Sequence, residues 1–348
     1  MLNDFDMTAV DVLVIGGGPA GLESAYSLAN NGYDVAVLEK EKNICGHLNQ
    51  AHSLFPNFQN ASEVRSAMID KMTHPKISIH NDTEAIRIKR DIDKWGVETG
   101  SGKEFMAPAL LLATGFKSFD PKYKEELGYG IYDNVITTTQ FEAMCQKGSI
   151  VSPHGQKVKR IAFLNCVGSR DEKVGNHYCS RVCCINAVKQ SIEAKKVLPE
   201  ADIYCFYMDI RMAGQFYEEL YRKSQEVYNV NYIRGRISEV SPTIDKRLHV
   251  KCEDTLSQTP MKITFDILVL MTGIEASLGT VALGQQLNIS GEYNFAKSLS
   301  LHMADNYSSH KGLFLAGTCK RPLTLPEAVA DARSAAGEIK NYLKTLKQ

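Results

Sequence analysis

The stretch "VDVLVIGGGPAGLESAYSLANNGYDVAVLEK" (residues 10–40) decides how the first part of the chain folds. "VDVLVI" is a continuous apolar run, the pattern of a parallel strand buried on both faces. It runs into Gly16-x-Gly18-x-x-Gly21. "LESAYSLANNG" then reads as a helix, with apolar positions at Leu22, Ala25, Leu28 and Ala29 and a stop near Gly32. "DVAVLE" follows as a second strand that ends in Glu39. Each part has a physical task. The first glycine permits a tight turn, the second lets backbone approach a pyrophosphate, and the third lets helix and strand close up. The helix start offers free N–H groups and a positive dipole end to phosphates. An acid at the tip of the second strand accepts hydrogen bonds from a ribose, and Glu39 lies eighteen residues beyond Gly21. A plain glycine-rich turn would account for the triplet alone, but not for the strand, helix and acid around it.

Two later segments complete this module. "APALLLATGFKS" (107–118) is an apolar strand ending in Ala113-Thr114-Gly115, and "GLFLAGTCKRPLTLPEAVADARSAAGEI" (312–339) is a strand, a turn at Gly317 and a helix. Between the second strand and "APALLLA", "NDTEAIRIKRDIDKWGVETGSGKEF" (81–105) reads as a short antiparallel meander, with Trp95, the single tryptophan, as a packing residue. With these pieces in place the chain resembles the two-dinucleotide-binding-domain flavoproteins, the thioredoxin reductase-like group. The resemblance implies an α/β fold of two Rossmann-like modules, the second inserted in the first. It implies FAD-binding residues 1–118 and 288–348, and an inserted module over 119–287. It further implies FAD contacts at Gly16, Gly18, Pro19, Ala20, Gly21, Glu39, Lys40, Gly46, His47, Leu48, Ala85, Ala113, Thr114, Gly115, Gly317, Thr318, Leu325 and Ala328. Family members often carry an aspartate after the late glycine, on the ribityl chain. Thr318 stands there in this chain, so that contact differs.

The second half echoes the first. "KVKRIAFLNCVGSR" is a strand running into a loop, "INAVKQSIEAKKVLPE" a helix, "ADIYCFYMD" a strand, and "TFDILVLMTGIEAS" repeats the earlier "LLLATGFKS". A pyridine-nucleotide module would carry its own glycine triplet after the first of these strands. This loop lacks it, and no basic residue is read as poised for a 2′-phosphate, so NAD(P)H binding is not expected.

In place of the triplet stand thiols. "FLNCVGSRDEKVGNHYCSRVCCINAV" (163–188) holds Cys166, Cys179, Cys183 and Cys184, four of the nine cysteines of the chain. If 179–184 opens a helix, Cys179 and Cys183 share a face, and Cys184 is turned by about 100°. Four such sulfurs suit the corners of a [4Fe–4S] cluster. A single Zn²⁺ prefers C-x2-4-C knuckles around one point, and a redox dithiol is typically C-x-x-C, which is absent. Zinc, dithiol chemistry and simple burial remain as alternatives to the cluster.

The cysteine block, "GYGIYDNVITTTQFEAM" (128–144) and the "LPEAVADARSAA" ending together resemble the A-type subunits of the heterodisulfide reductases, over nearly the whole chain. That resemblance implies FAD, a [4Fe–4S] cluster on Cys166, Cys179, Cys183 and Cys184, a homodimer, and electron transfer to partner B- and C-type subunits. Two departures bear on mechanism. The family's arginine is His47 here and its lysine is Ser53. A lysine near a flavin favours the anionic reduced form, so electron bifurcation is not expected. The methanogenic ferredoxin-like segments, with their C-x2-C-x2-C-x3-C runs, do not occur either. A short form of this kind resembles the Hdr-like A-type proteins of sulfur-oxidising prokaryotes, which implies a role in sulfur-compound oxidation.

Composition fits these expectations. The 348 residues are 44% hydrophobic and 23% charged, with a formal net charge of +0 and a pI near 7.1. Nothing there draws the chain to nucleic acid or anionic membrane. The longest apolar runs are far too short for a bilayer span, and the N-terminus lacks the features of a secretory signal, so a cytoplasmic location is expected. Cys45, Cys145, Cys205, Cys252 and Cys319 read as packing residues. "RLHVKCEDT" reads as a solvated charge pattern. "MAGQFYEELYRKSQEVY" reads as an amphipathic helix whose stripe of Phe216, Tyr217, Leu220 and Tyr221 faces the core. A stand-alone NAD(P)H-dependent FAD disulfide reductase is the rival reading that the fold alone suggests.

Overall fold

The computed structural model describes residues 7–347. The chain divides into two compact units. Of the described residues, the first comprises 7–49, 62–117 and 275–347, and the second 50–61 and 118–274.

The first unit is built on a five-stranded parallel sheet, in the order Leu313–Leu315, Ala109–Leu112, Val12–Ile15, Val35–Leu38, Ile77–His80. All four residues of Val12–Ile15, Val35–Leu38 and Ala109–Leu112 are buried, as their unbroken apolar runs require. The helices Pro19–Ala29 and Leu325–Thr345 cover one face, and alanines at 25, 332, 335 and 336 let them approach closely. Ser24 Oγ donates to the Ala332 carbonyl at 3.0 Å across this contact. The expected meander forms from Ala85–Asp91, Lys94–Thr99 and Glu104–Ala107, joined by Met7–Ala9 at its edge. It covers the other face with a buried Trp95 in its core.

The second unit repeats the plan. Its parallel sheet runs Val135–Thr137, Ile267–Thr272, Arg160–Val167, Asp202–Tyr207, Asn231–Arg234. Helices Thr138–Gln146 and Cys183–Val197 contribute to the core on one side. An antiparallel meander of Ile237–Pro242, Leu248–Asp254 and Thr259–Phe265 lies on the other.

Several expectations are corrected. "RLHVKCEDT" is no plain solvated stretch: it forms the middle strand of the second meander, with Leu248, Val250 and Cys252 buried on alternate positions. The second unit ends at Ile274, before the expected 287. The physical reason is the helix Leu278–Gln286. It buries Leu283 in the core of the first unit, and Gln286 Oε1 accepts from the Ile88 N–H at 2.8 Å. Residues 50–61 belong to the second unit, held by Gln146 Nε2 on the Ala51 carbonyl (2.9 Å) and Lys189 Nζ on the Ser53 carbonyl (2.9 Å). In the helix Tyr217–Glu226, Tyr217 and Leu220 are buried, but Phe216 precedes it in a left-handed conformation and is 58% exposed. Among the described residues no helix is long and apolar enough to cross a membrane.

Candidate functional site

The glycine loop of the first unit is closed by contacts that exclude side chains. Gly16 has φ +108°, and a Cβ there would lie 2.3 Å from the Ala113 carbonyl oxygen. A Cβ on Gly21 would lie 1.9 Å from the Gly16 carbonyl oxygen. At Gly18 a Cβ would meet nothing within 4 Å, so the middle glycine faces open space where a pyrophosphate would come. Pro19 and Ala20 open the helix, whose N-cap, Gly18, supplies no side-chain acceptor; its first N–H groups are left for a ligand. Ala113 N–H donates to the Ile15 carbonyl at 2.8 Å, which sets the Ala113-Thr114-Gly115 turn beside the loop.

Other expected residues gather on the same loop. Cys45 N–H donates to the Gly17 carbonyl at 2.7 Å, and a Cβ on Gly46 would lie 3.5 Å from the Gly18 Cα. Gly317, at φ +75°, packs where a Cβ would come within 2.7 Å of the Ala20 Cβ, and Thr318 Oγ1 would be 3.9 Å from a Cβ on Gly115. The buried Glu39 takes the Gly17 N–H on one carboxylate oxygen (2.7 Å) and the Glu41 N–H on the other (2.9 Å). It thus holds the loop as well as the strand tip. Leu48 is buried, Ala85 half-buried at the start of the meander, and Leu325 and Ala328 stand in the first turn of the last helix. Lys40 is exposed and 3.6 Å from Glu41, so it makes an ordinary surface pair. His47 is exposed, stacked on Phe116 at 4.0 Å, with Nε2 2.9 Å from the Phe116 carbonyl oxygen.

Under the late turn lies a charge network that sequence reasoning missed. Asp331 accepts the Gly317 N–H at 2.6 Å. Lys320, 1% exposed, bridges Asp331 (2.7 Å) and Asp305 (2.8 Å), and Arg321 also pairs with Asp305 (2.7 Å). Burial opposes ionisation of Asp305, but Arg321 and Lys320 hold its carboxyl well below the usual range. Asp331 sits inside "AVADARSAA", where an acid on the buried side of a helix was the available signal. The cradle fits an FAD: an open middle glycine, free helix N–H groups and a buried acid at the strand tip.

In the second unit the strand Arg160–Val167 breaks register between Leu164 and Val167 and delivers Cys166 at φ +61°. Gly168 (φ +76°) and Arg170 (φ +55°) turn the chain, and Asn176 Nδ2 fixes the turn on the Gly168 carbonyl at 2.9 Å. The helix begins at Cys183, not near 179. Arg181, at φ +63°, prevents an earlier start, so Cys179 comes from a loop and does not share a helical face with Cys183. The Arg181 N–H reaches Cys179 Sγ at 3.3 Å. Cys183 and Cys184 occupy the first turn, after an N-cap, Val182, that gives no side-chain acceptor.

All nine cysteines are free thiols, and the five scattered ones are buried as packing residues. Burial, and then Cys184 and Cys179 nearby, push the Cys166 thiol up to about 11. Burial and the other three cysteines push Cys183 well above the ordinary thiol value. Cys184 is raised as well, chiefly by burial. Such thiols are poor nucleophiles at neutral pH; they become thiolates when a cation joins them. Among the described residues, no three His, Cys, Asp or Glu side chains converge as ligands of one metal ion. A zinc ion needs its four sulfurs about 2.3 Å from one point, whereas a cubane spreads its ligands over several ångströms. Around the thiols, Asn165 Oδ1, Ser169 Oγ, Arg170 Nη1 and Thr272 Oγ1 are buried without a hydrogen-bond partner. Unpaired buried polar atoms in such number suit a polar occupant. Four thiols are the donor set that a [4Fe–4S] cluster takes.

Comparison with known proteins agrees with this architecture. Residues 10–161 match the family model of pyridine nucleotide-disulphide oxidoreductases. Among solved structures, Lactococcus lactis thioredoxin reductase aligns over 97% of this chain and 99% of its own, with TM-score 0.69 and 17% identity. T. acidophilum thioredoxin reductase gives TM-score 0.68 and 18% identity at the same coverage. Fold and comparisons together define a chain of two Rossmann-like modules, thioredoxin reductase-like in architecture. In sequence it resembles the A-type subunits of the heterodisulfide reductases. The A-type component of the H(2)/formate:CoB-CoM heterodisulfide,ferredoxin reductase of Methanococcus maripaludis is 31% identical, over 97% of this chain and 65% of the relative. Its counterpart in the ferredoxin/F(420)H(2)-dependent CoB-CoM heterodisulfide reductase of Methanosarcina acetivorans is 30% identical, over 96% and 53%. The chain thus spans less than two thirds of either relative.

Proposed function

We propose that this chain is the flavo-iron–sulfur electron-transfer subunit of a heterodisulfide reductase-like complex. FAD would lie on the glycine loop, along Gly16–Gly21, Glu39, Ala113–Gly115 and Gly317–Thr318. A [4Fe–4S] cluster would be held by Cys166, Cys179, Cys183 and Cys184. When bound, FAD supplies two-electron exchange and the cluster one-electron exchange. The chain's own residues bind, orient and exclude water: the free N–H groups of Ala20 and Gly21 receive phosphate, Glu39 receives ribose, and the thiol pocket holds the metal site. No protein acid, base or nucleophile is assigned a chemical step.

The observation that carries this reading is the thiol pocket itself. It occupies the loop where a second dinucleotide module would place its phosphate-binding glycines, and it is ringed by unpaired buried polar atoms. The sequence similarity to the A-type subunits of heterodisulfide reductases supports it. We further propose a homodimer in the cytoplasm, working with B- and C-type subunits in sulfur-compound oxidation. We read it as non-bifurcating, because His47 and Ser53 replace the family's arginine and lysine. Iron, sulfide, zinc and flavin analysis of anaerobically purified protein tests the proposal. About four iron and four sulfide with one FAD per chain is expected. FAD with zinc, or with no metal, overturns it.

The rival reading, a stand-alone NAD(P)H-dependent disulfide reductase, draws on the likeness of fold to thioredoxin reductases. It requires rapid bleaching of the flavin by NADH or NADPH and an exposed dithiol. Cys183 and Cys184 are buried, and burial raises the Cys166, Cys183 and Cys184 thiols above their ordinary value.

A further inference from the structure

The cluster reading leaves the buried polar atoms around the thiols to be explained. Ser169 is 1% exposed, and its hydroxyl has no hydrogen-bond partner among the protein's oxygen and nitrogen atoms. It lies beside the Cys183 thiol: its Cβ would be 3.1 Å from a Cβ on Gly273, and the carbonyl of the preceding Thr272 receives Cys183 Sγ at 4.0 Å. The Arg170 guanidinium is held from one side: Nη2 pairs with Asp209 Oδ2 at 2.6 Å. Its other terminal nitrogen, Nη1, is buried and unpartnered, on the same tight turn that delivers Cys166. Asp209 is tied to the same pocket, since its carbonyl receives the Cys184 thiol at 3.6 Å. A buried donor left without a partner costs free energy that the fold has no reason to bear unless something at the site uses it.

We infer that Ser169 Oγ–H and Arg170 Nη1–H are hydrogen-bond donors to the cluster's cysteine sulfurs, Ser169 on Cys183 and Arg170 on Cys166, and that they raise the cluster's reduction potential. The inference rests on the cluster reading above. Reduction adds one negative charge to the cluster and its sulfurs. A donor aimed at a sulfur therefore stabilises the reduced form more than the oxidised form, and hydrogen bonds to sulfur are among the levers that set such potentials. Neither residue is a ligand; both are positioning residues acting through Cys183 and Cys166.

The test uses the full chain, purified anaerobically, as wild type and as Ser169→Ala, Ser169→Thr, Arg170→Met and Arg170→Lys. Iron and sulfide are counted first, and the cluster is then titrated by EPR against solution potential. Ser169→Ala and Arg170→Met are expected to keep the wild-type iron content and to disfavour reduction about tenfold each, a shift of about 59 mV downward for one electron. Ser169→Thr, which keeps the hydroxyl, and Arg170→Lys, which keeps a charged donor, are expected to recover most of the shift. Wild-type potentials in both Ser169→Ala and Arg170→Met overturn the inference. Loss of iron from Ser169→Ala, with an unshifted potential in Arg170→Met, overturns it too, because the role would then be structural. A wild-type chain that carries no iron overturns the cluster reading itself, and is seen before any variant is titrated.

Discussion

Replacing Lys189 by methionine should destabilise the second unit in a manner that depends on pH. The Lys189 ammonium is 2% exposed. It donates to Glu142 Oε1 and to the Ser53 carbonyl (2.9 Å), and it stands 3.6 Å from Glu193 Oε2. Gln190 Nε2 also donates to Glu142 Oε1, at 2.6 Å. Removing the cation strands two buried carboxyl groups, for which the usual cost is about 3–5 kcal/mol. Burial raises Glu193 to about 7, Lys189 opposes that rise, and Glu142 adds to it. Its folded value thus exceeds its ordinary value of 4.5. The folded state then binds more protons than the unfolded chain within that interval, and the wild type loses stability as pH climbs through it. Without Lys189 the Glu193 carboxyl shifts higher still, and the falling slope, about 1.4 kcal/mol per pH unit, continues above 7. Lys189→Met should therefore lose more stability near pH 8 than near pH 6. Urea unfolding followed by circular dichroism at both pH values measures this, and proteolysis within 50–61 reports whether the Ser53 anchor has loosened. An equal loss at the two pH values, or a loss of no more than about 0.5 kcal/mol, as at an ordinary surface site, would refute the reasoning.

Further outcomes follow from the sites. Gly21→Ala places a Cβ 1.9 Å from the Gly16 carbonyl oxygen; the purified protein should lose its flavin absorbance while retaining the second unit's cluster signal. Cys183→Ser should bring iron below four per chain with FAD retained, and full iron in that variant would remove Cys183 from the ligand set. Asp331→Asn leaves one acceptor oxygen for two donors, the Gly317 N–H and the Lys320 ammonium; flavin affinity should fall by roughly tenfold, in line with loss of one charge-assisted hydrogen bond, measured by flavin release on dilution. Wild-type protein mixed with NADH or NADPH in a stopped-flow spectrometer should show no rapid flavin bleaching.

The parts of the fold visible in the sequence were those governed by local pattern. Strands buried on both faces announce themselves as unbroken apolar runs, as at 12–15 and 267–272. The glycine loop was legible because Gly16 and Gly21 each have a steric cause within a few residues or one strand away, while Gly18 leaves space for a ligand. The thiol block was visible as density alone. What escaped depended on partners distant in sequence. The strand 248–254 hides behind its charged outer face. The helix 278–286 joins the first unit through contacts to residues near 88. The start of the Cys183 helix is set by one left-handed arginine, which no periodicity reveals. The Asp305–Lys320–Asp331 network links a loop, a turn and a helix, and only the folded chain brings them together.

Cys166 carries a consequence for how this chain must be made. A β-carbon in the left-handed region costs about 1–2 kcal/mol, and at φ +61° a glycine would sit there without strain. A Cys166→Gly chain would accordingly fold more readily than the natural one as long as neither holds metal. On the proposed cluster reading, the natural chain recovers that deficit when the cluster is inserted. Its newly synthesised form should therefore be the more fragile species, vulnerable to proteolysis until iron and sulfide arrive, so that cofactor supply sets how much of the protein survives in the cell.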